Sequence, residues 1–199
     1  RRMLMKVFII HGYQSSPEQH WFPWLATKIE QMGSQCEIVH LQGSDQPDFA
    51  TWRQNLEAQV HPLNEQTIIV AHSVGCISVL AYLSEALNGR LIKAIFMVAG
   101  FNEKLTALPE LNQFVQQAKL NDALLRFRIQ QRYSLFSCND PFVPAPLSIR
   151  FGQLLNAQMI EVKKAGHFIQ SDGLSEFPQL WEKLEKLLVE QSVTQVVTI

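Results

Sequence analysis

The run Thr67-Ile68-Ile69-Val70-Ala71-His72-Ser73-Val74-Gly75 carries the strongest fold signal, because an apolar strand leads directly into a small-residue turn around one serine. Such a strand-to-helix turn is written G-x-S-x-G, since the chain reverses so sharply that the positions two before and two after the serine must be small. Ala71 and Gly75 occupy these positions, and Ala71 departs from the pattern by one methyl group. Ser73 is therefore a candidate nucleophile, with an ordinary turn serine as the alternative.

Size and composition favour one globular domain that acts on a small molecule. The chain has 199 residues, of which 47% are hydrophobic and 18% are charged, and its formal net charge is -1. A chain of this length can bury a substantial core without disulfide or metal staples. The charge balance gives no reason to expect nucleic acid or an anionic membrane as a partner. We expect a single domain over residues 1–199.

The cysteines and the start of the chain favour a cytoplasmic location. Cys36, Cys76 and Cys138 are odd in number and form no C-x-x-C pair, which is typical of free thiols in a reducing compartment. No apolar run is long enough to cross a bilayer, and the chain enters a strand within a few residues. No coiled-coil repeat indicates an oligomeric state, so that state stays unknown at this point.

Short β-branched runs alternate with helix-length segments, which is typical of βα units that build a parallel sheet with helices on both faces. The predicted strands are Val7–Ile10, Glu37–Leu41, Ile68–Ala71, Ile92–Val98, Tyr133–Ser137 and Met159–Val162. The clearest helices are Trp24–Met32, Phe49–Val60 after an N-cap at Asp48, Gly75–Leu87 and Phe177–Leu188. The fold class is therefore α/β.

Two segments fall outside this alternation. The connection between the strands ending at Val98 and beginning at Tyr133 is longer than a simple crossover needs, so we expect part of residues 101–131 to form a small helical cap. The tail over residues 192–199 is β-prone and follows a helix without an obvious turn. The sequence leaves open whether it pairs with a sheet edge, joins a neighbouring chain or is disordered.

A candidate acid and a candidate base follow the last two predicted strands. A serine hydroxyl needs a base to take its proton, and the base needs an acid to fix its tautomer. Asp140 and His167 lie on loops at the strand ends where an open parallel sheet carries its site. The order Ser73, Asp140, His167 is that of an α/β-hydrolase triad and differs from the chymotrypsin and subtilisin orders.

Each partner also has a structural interpretation when it is considered alone. Asp140 precedes a proline in a turn, and His167 could be a surface or core-edge histidine. Asp172, five residues past His167, is the best rival carboxylate, and Asp122 in the expected cap is a weaker one. Joint placement in the right order favours Ser73, Asp140 and His167 as the catalytic residues.

The tetrahedral intermediate of acyl transfer needs backbone N–H donors for its oxyanion. Val74, directly after the serine, is expected to supply one, and Tyr13 in the loop after the first strand the other, with Gln14 as the next choice. Gly12 lets that loop approach the substrate closely. His11 is expected to brace the loop and not to transfer protons.

Several side chains close to these loops are candidates for the substrate pocket. Trp21 and Phe22 follow the oxyanion loop, Phe142 and Phe168 flank the acid and the base, and His72 precedes the nucleophile. Core packing is the alternative for Trp21 and Phe22. The expected pocket residues are Gly12, Gln14, Trp21, Phe22, His72, Phe142 and Phe168.

Four motifs together resemble one group of small serine hydrolases within the α/β-hydrolase superfamily, the group that includes retinoblastoma-binding protein nine and the YdeN-like bacterial proteins. The motifs are His20-Trp21-Phe22-Pro23-Trp24, the run from Thr67 to Gly75, Asn139-Asp140-Pro141-Phe142-Val143-Pro144 and Gly166-His167-Phe168. The resemblance extends through nearly the whole chain.

This resemblance implies a single-domain α/β-hydrolase fold, with a mostly parallel six-stranded sheet in the order 2-1-3-4-5-6. It also implies a triad of Ser73, Asp140 and His167, hydrolysis of a small carboxylic ester or amide, and no metal or organic cofactor. An alternative of a different class is a protein-interaction module that keeps a hydrolase fold with little turnover.

Overall fold

A single parallel sheet organises the computed structural model, which describes residues 4–193, with side chains described as far as residue 189. The sheet order is β2-β1-β3-β4-β5-β6, and every strand pairing is parallel. The strands are β1 (Lys6–Ile10), β2 (Gln35–Val39), β3 (Thr67–His72), β4 (Ile92–Val98), β5 (Ile129–Phe136) and β6 (Gln158–Glu161).

Helices cover both faces of the sheet, which explains why its central strands are apolar on both sides. They are α1 (Phe22–Gln31), α2 (Phe49–Gln59), α3 (Val74–Ala86), α4 (Asn112–Gln117), α5 (Asp122–Arg128), α6 (Ala145–Leu154) and α7 (Pro178–Val193). Ile68 and Val70 of β3 pack with α1 and α7, whereas Ile69 and Ala71 pack with the helices on the other face. Because both faces are covered, β3 is buried along its whole length.

The ends of β2 and β5 differ from the sequence prediction for physical reasons. β2 ends at Val39 and not at Leu41, because the N–H of His40 donates to Gln59 Oε1 and that of Leu41 to His11 Nε2. β5 begins at Ile129, so residues 129–131 of the expected cap are strand and pair with β4.

Helix starts follow local capping chemistry. Asp48 caps α2 as predicted, since its Oδ2 accepts a hydrogen bond of 2.9 Å from the N–H of Thr51. Sequence reasoning did not single out α6, which begins directly after Pro144 and buries Phe151 against the sheet. The register places the carboxyl ends of β3, β5 and β6 at one edge, where their loops meet.

The segment expected to form a cap contributes to the core. Its helices α4 and α5 and a 3-10 turn at Pro109–Leu111 bury Leu111, Phe114 and Leu125 on the side of the sheet that α3 covers. At the chain end, α7 continues to Val193, and the rest of the predicted β-prone tail, residues 194–199, lies outside the described residues. None of the helices described between residues 4 and 193 has the length and apolar character needed to span a membrane.

Candidate active site

Ser73 sits on a sharp turn between β3 and α3. Its backbone has φ 57° and ψ -130°, a combination that is rare for a residue with a side chain and that marks strained functional turns. The Ser73 N–H donates a 2.8 Å hydrogen bond to Val98 O, which ties the turn to the end of β4. A Cβ atom on Gly75 would lie 2.3 Å from the carbonyl oxygen of His11, so only glycine fits there.

The side chains of Ser73, His167 and Asp140 form a continuous hydrogen-bonded chain. Ser73 Oγ lies 3.0 Å from His167 Nε2, and His167 Nδ1 lies 2.8 Å from Asp140 Oδ2. Because a carboxylate only accepts, the proton on the neutral imidazole is on Nδ1, and Nε2 is free to accept from the serine hydroxyl. The geometry matches that of a nucleophile, a general base and an orienting acid.

Backbone donors fix the orientation of the Asp140 carboxylate. Its Oδ1 accepts hydrogen bonds of 2.9 Å from the N–H groups of both Phe142 and Val143, while Oδ2 faces His167. The Asp140 side chain is 1% exposed and that of His167 is 9% exposed. Water therefore has little access to the bond between them.

The two rival carboxylates occupy other positions. Asp172 Oδ2 accepts a 2.8 Å hydrogen bond from the backbone N–H of His167, so this carboxylate holds the backbone of the base and not its ring. Asp122 lies on α5, where it forms an ion pair with Arg126. Of the three carboxylates, Asp140 is therefore the one in hydrogen-bond contact with the imidazole.

A polar link joins the acid loop to the base loop. Asn139 Oδ1 accepts from the Gly166 N–H at 2.9 Å and from Ser137 Oγ at 2.7 Å, and Ser137 Oγ accepts from the Ala165 N–H at 3.0 Å. Sequence reasoning missed this link, because nothing in the pattern around Ser137 distinguishes it from an ordinary strand end. These hydrogen bonds hold the loop that carries Asp140 at a fixed position relative to the loop that carries His167.

Two backbone N–H groups beside the nucleophile have no acceptor among the described residues. Val74 begins α3, where the first N–H groups of a helix lack partners within it, and Tyr13 N–H likewise makes no hydrogen bond. Gln14 N–H instead donates to Ser44 O at 2.8 Å. The geometry therefore keeps Val74 and Tyr13 as the candidate oxyanion donors and disfavours Gln14.

The loop after β1, which carries Gly12 and Tyr13, lies directly against Ser73. A Cβ atom on Gly12 would lie 3.2 Å from Ser73 Cβ and 3.1 Å from His72 O. His11 Nε2 accepts from Leu41 N–H at 2.9 Å, so its proton is on Nδ1, which donates to Gly12 O at 3.0 Å. Burial lowers the pKa of His11, which keeps the ring neutral in this bracing role.

A cavity of about 150 Å³ opens above Ser73. Besides Ser73 and His167, the lining residues Tyr13, Gln14 and Phe142 were expected near the site from the sequence, and the Phe142 ring lies 5.3 Å from that of His167, edge to face. The full lining consists of Tyr13, Gln14, His20, Ser73, Leu108, Phe142, His167 and Ile169.

Four expected pocket residues lie behind the site instead of lining it. Trp21, Phe22 and Phe168 are completely buried, and His72 is 2% exposed, because all four pack beneath the base loop. The Trp21 indole N–H donates to Phe168 O at 3.0 Å, and His72 Nε2 donates to His167 O at 2.8 Å. The prediction that these side chains line the pocket is wrong; they pack beneath the loop that carries His167.

His72 is a buried neutral histidine. Burial, reinforced by the nearby His167, lowers its pKa well below the ordinary value. Because Nε2 donates to a carbonyl oxygen, Nδ1 is the unprotonated nitrogen, and it is buried without a hydrogen-bond partner. Its protonation would place a charge in an apolar layer, which favours the neutral ring over a wide pH range.

Sequence reasoning missed three residues that line the cavity, His20, Leu108 and Ile169. Ile169 and Leu108 belong to irregular connections, where no periodicity indicates which way a side chain points. His20 has a left-handed backbone with φ 55°, and its side chain lines the cavity. Its position directly before the aromatic cluster in a loop after β1 was the available signal.

Comparison with known proteins gives consistent matches over nearly the whole chain. The family described as serine hydrolase matches residues 7–186. YdeN of Bacillus subtilis strain 168 is 32% identical over 182 residues, which are 92% of this chain and 95% of YdeN. The crystal structure of the B. subtilis ydeN product has a TM-score of 0.87 at 31% identity, covering 92% of this chain and 97% of that one.

More distant solved structures share the fold. Est1E from Butyrivibrio proteoclasticus has a TM-score of 0.71 at 14% identity and covers 97% of this chain and 90% of its own. Mouse alpha/beta hydrolase domain-containing protein 10 has a TM-score of 0.67 at 12% identity and covers 96% and 92%. The sheet order and these likenesses show an α/β-hydrolase fold.

Proposed function

The chain belongs to the serine hydrolase family, and on that premise we propose that it cleaves a small carboxylic ester or amide through an acyl-enzyme on Ser73. The observation that carries this proposal is the unbroken hydrogen-bonded chain from Ser73 Oγ through His167 to Asp140. At its Ser73 end, this chain of hydrogen bonds meets a cavity large enough for a short substrate group.

In the first half of the reaction, Ser73 Oγ attacks the substrate carbonyl carbon while His167 Nε2 takes the hydroxyl proton. The N–H groups of Val74 and Tyr13 donate to the oxyanion that forms. When the tetrahedral intermediate collapses, the imidazolium returns its proton to the leaving oxygen or nitrogen, and the acyl group stays on Ser73.

In the second half, water replaces the leaving group. His167 Nε2 takes a proton from the water as its oxygen attacks the acyl carbon, and then gives the proton back to Ser73 Oγ as the carboxylic acid departs. Asp140 stays ionised throughout, and it orients the imidazole and stabilises its positive form.

The cavity supports a substrate that is small and uncharged. Its volume of about 150 Å³ lies below the roughly 300–1,000 Å³ typical of sites for drug-sized ligands. Leu108, Phe142 and Ile169 give it apolar walls, and its described lining contains no Lys, Arg, Asp or Glu. A short acyl or alcohol group fits these properties.

The decisive experiment is covalent labelling of Ser73. A fluorophosphonate probe should modify the folded protein once, and peptide mass spectrometry should locate the adduct on Ser73. Ser73→Ala should abolish labelling, whereas Ser171→Ala, at an exposed serine past the base loop, should retain it. Incubation with a short 4-nitrophenyl ester should also give a transient acyl adduct on the same residue.

Equal labelling of wild type and Ser73→Ala would refute the assignment. Absence of turnover across a panel of short esters and amides, together with partner binding that survives Ser73→Ala, would favour the interaction module instead.

A further inference from the structure

We propose that the Nε2–H of His20 donates a hydrogen bond to the substrate and selects groups that carry an ether, hydroxyl or carbonyl oxygen in the cavity. This inference rests on the proposed hydrolysis at Ser73. It assigns His20 a role in positioning the substrate, which is separate from the roles of the triad and of the oxyanion donors.

The His20 ring is held at the cavity by several contacts. It lines the cavity together with Ser73 and His167, and it packs edge to face on the rings of Phe22 at 5.5 Å and His72 at 5.9 Å. Because Phe22 and His72 are buried, the ring rests on a fixed surface. A side chain held in this way loses little entropy when it binds a ligand.

The hydrogen-bond pattern defines the tautomer. His20 Nδ1 accepts a 2.9 Å hydrogen bond from the N–H of Gln170, so the proton of the neutral ring is on Nε2. Desolvation, with His167 nearby, lowers the pKa of His20 to about 4, so the ring is neutral near pH 7. His20 therefore presents a donor without a charge.

The Nε2–H is accessible and has no acceptor in the described part of the chain. No described residue hydrogen-bonds to this atom, and it is not among the buried unpartnered atoms, so it keeps access to solvent on a side chain that lines the cavity. Two other polar side chains line the same cavity, and neither hydrogen-bonds to His20: Tyr13 OH donates to Glu110 at 3.1 Å and accepts from Gln14 Nε2 at 3.2 Å.

The surroundings explain why an acceptor on the substrate would matter. Leu108, Phe142 and Ile169 offer the ligand no hydrogen bonds, and a substrate that fills the cavity displaces water from Nε2–H. A donor left without an acceptor costs free energy, so a substrate oxygen in reach of Nε2 is favoured over a methylene of the same size.

The test uses two substrate pairs in which one ether oxygen replaces one methylene. The pairs are 4-nitrophenyl methoxyacetate with 4-nitrophenyl butyrate, and 2-methoxyethyl acetate with butyl acetate. The first pair places the oxygen on the acyl side and the second on the alcohol side. The measured quantity is the ratio of kcat/KM within each pair, compared between variants.

Two variants separate the donor Nε2–H from the hydrogen bond that Nδ1 accepts from Gln170. In His20→Asn the amide oxygen can still accept from Gln170 N–H, and asparagine tolerates the left-handed backbone, but the Nε2–H is gone. In His20→Gln a side-chain N–H reaches the position of Nε2, while the acceptor for Gln170 is lost. Thermal unfolding of both variants establishes that they fold.

In at least one pair, the preference for the ether substrate should fall about tenfold in His20→Asn and recover in His20→Gln. A purely bracing role predicts equal losses for both members of each pair, and the opposite ranking of the two variants. Unchanged ratios in both pairs would overturn the inference. Failure of wild-type Ser73 to react with a fluorophosphonate would instead overturn the proposed hydrolysis, so the two failures are distinguishable.

Discussion

The surroundings of the Ser73 site differ sharply between its two sides. A support layer, formed by Trp21, Phe22, His72 and Phe168, lies beneath the base loop and is at most 2% exposed. A rim consists of the cavity-lining residues Tyr13, Gln14 and Leu108 together with Glu110, which bonds to Tyr13, and all four side chains are half-buried or exposed.

The polar groups of the two regions have different partners. In the support layer, Trp21 and His72 donate to the backbone carbonyls of Phe168 and His167, so they hold the loop that carries the His167 ring. In the rim, the side chains of Tyr13, Gln14 and Glu110 bond to one another. The polar side chains of the support layer therefore bond to the backbone of the loop that carries His167, whereas those of the rim bond to other side chains.

The largest effect should come from changing the carboxylate that contacts the His167 ring, compared with the one that contacts the His167 backbone. Asp140→Asn should lower kcat by roughly 10³- to 10⁴-fold, because an amide cannot hold the Nδ1–H tautomer as a carboxylate does. Asp172→Asn should cost at most about tenfold, since its amide oxygen can still accept from His167 N–H. Steady-state kinetics on a short 4-nitrophenyl ester measures both, and equal losses would contradict the assignment of Asp140.

Next in size is a disruption of the support layer. Trp21→Phe removes the donor to Phe168 O and shrinks a buried ring, so it should lower the free energy of unfolding by about 1–3 kcal/mol. Catalytic activity should fall with it, because the base loop loses an anchor. Trp24→Phe, at a half-buried tryptophan of α1 beside Lys28, is the matched control, and urea unfolding of both variants makes the comparison. A greater loss in the control would show that the support layer does not stabilise the site.

Buried histidines of the support layer and its neighbours should make stability depend on pH. His72, His20 and His11 all have a pKa lowered in the folded state, so the unfolded chain binds more protons below its ordinary histidine pKa of about 6.5. The free energy of unfolding should therefore be highest above that pH and should fall as pH decreases toward about 4, the folded-state pKa of His20.

The variant His72→Gln tests this dependence. Glutamine can still donate to His167 O but does not titrate, so the loss of stability between pH 7 and pH 5, measured by urea unfolding, should be smaller than in the wild type. An unchanged pH dependence would mean that His72 is not a buried neutral group.

The smallest effect should arise at the rim. Leu108→Ala widens the cavity, so the kcat/KM ratio of 4-nitrophenyl hexanoate to butyrate should rise about fivefold, because a methylene group in a pocket is worth about 1 kcal/mol. Thr106→Ala, in the same segment but outside this cavity lining, should leave the ratio as it is. A large fall in the free energy of unfolding of Leu108→Ala would instead show that Leu108 stabilises the core, and would contradict its assignment to the rim.

These regions also differ in how well the sequence predicts them. The sheet order and the approximate positions of the strands followed from apolar runs and from the family resemblance, because buried parallel strands have few alternatives. The side chains of Ser73, Asp140 and His167 were expected at one edge of the sheet, and the structure brings them within hydrogen-bond distance.

The pocket was harder to predict because burial depends on tertiary packing. Trp21, Phe22 and Phe168 are aromatic residues of the kind that often line pockets, yet the packing of α1 and α7 encloses them. Leu108, Ile169 and His20 lie in irregular segments, where the direction of a side chain depends on individual backbone angles such as the left-handed φ of His20.

The contact between Gly75 and His11 makes the two small positions around Ser73 unequal. Gly75 is required because the carbonyl oxygen of His11 occupies the space of a Cβ, so the start of α3 and the oxyanion loop touch backbone to backbone. Ala71, completely buried within β3, meets no comparable obstacle. A motif search that demands glycine after the serine but accepts alanine before it would follow this steric asymmetry, and would recover chains that the symmetric G-x-S-x-G pattern discards.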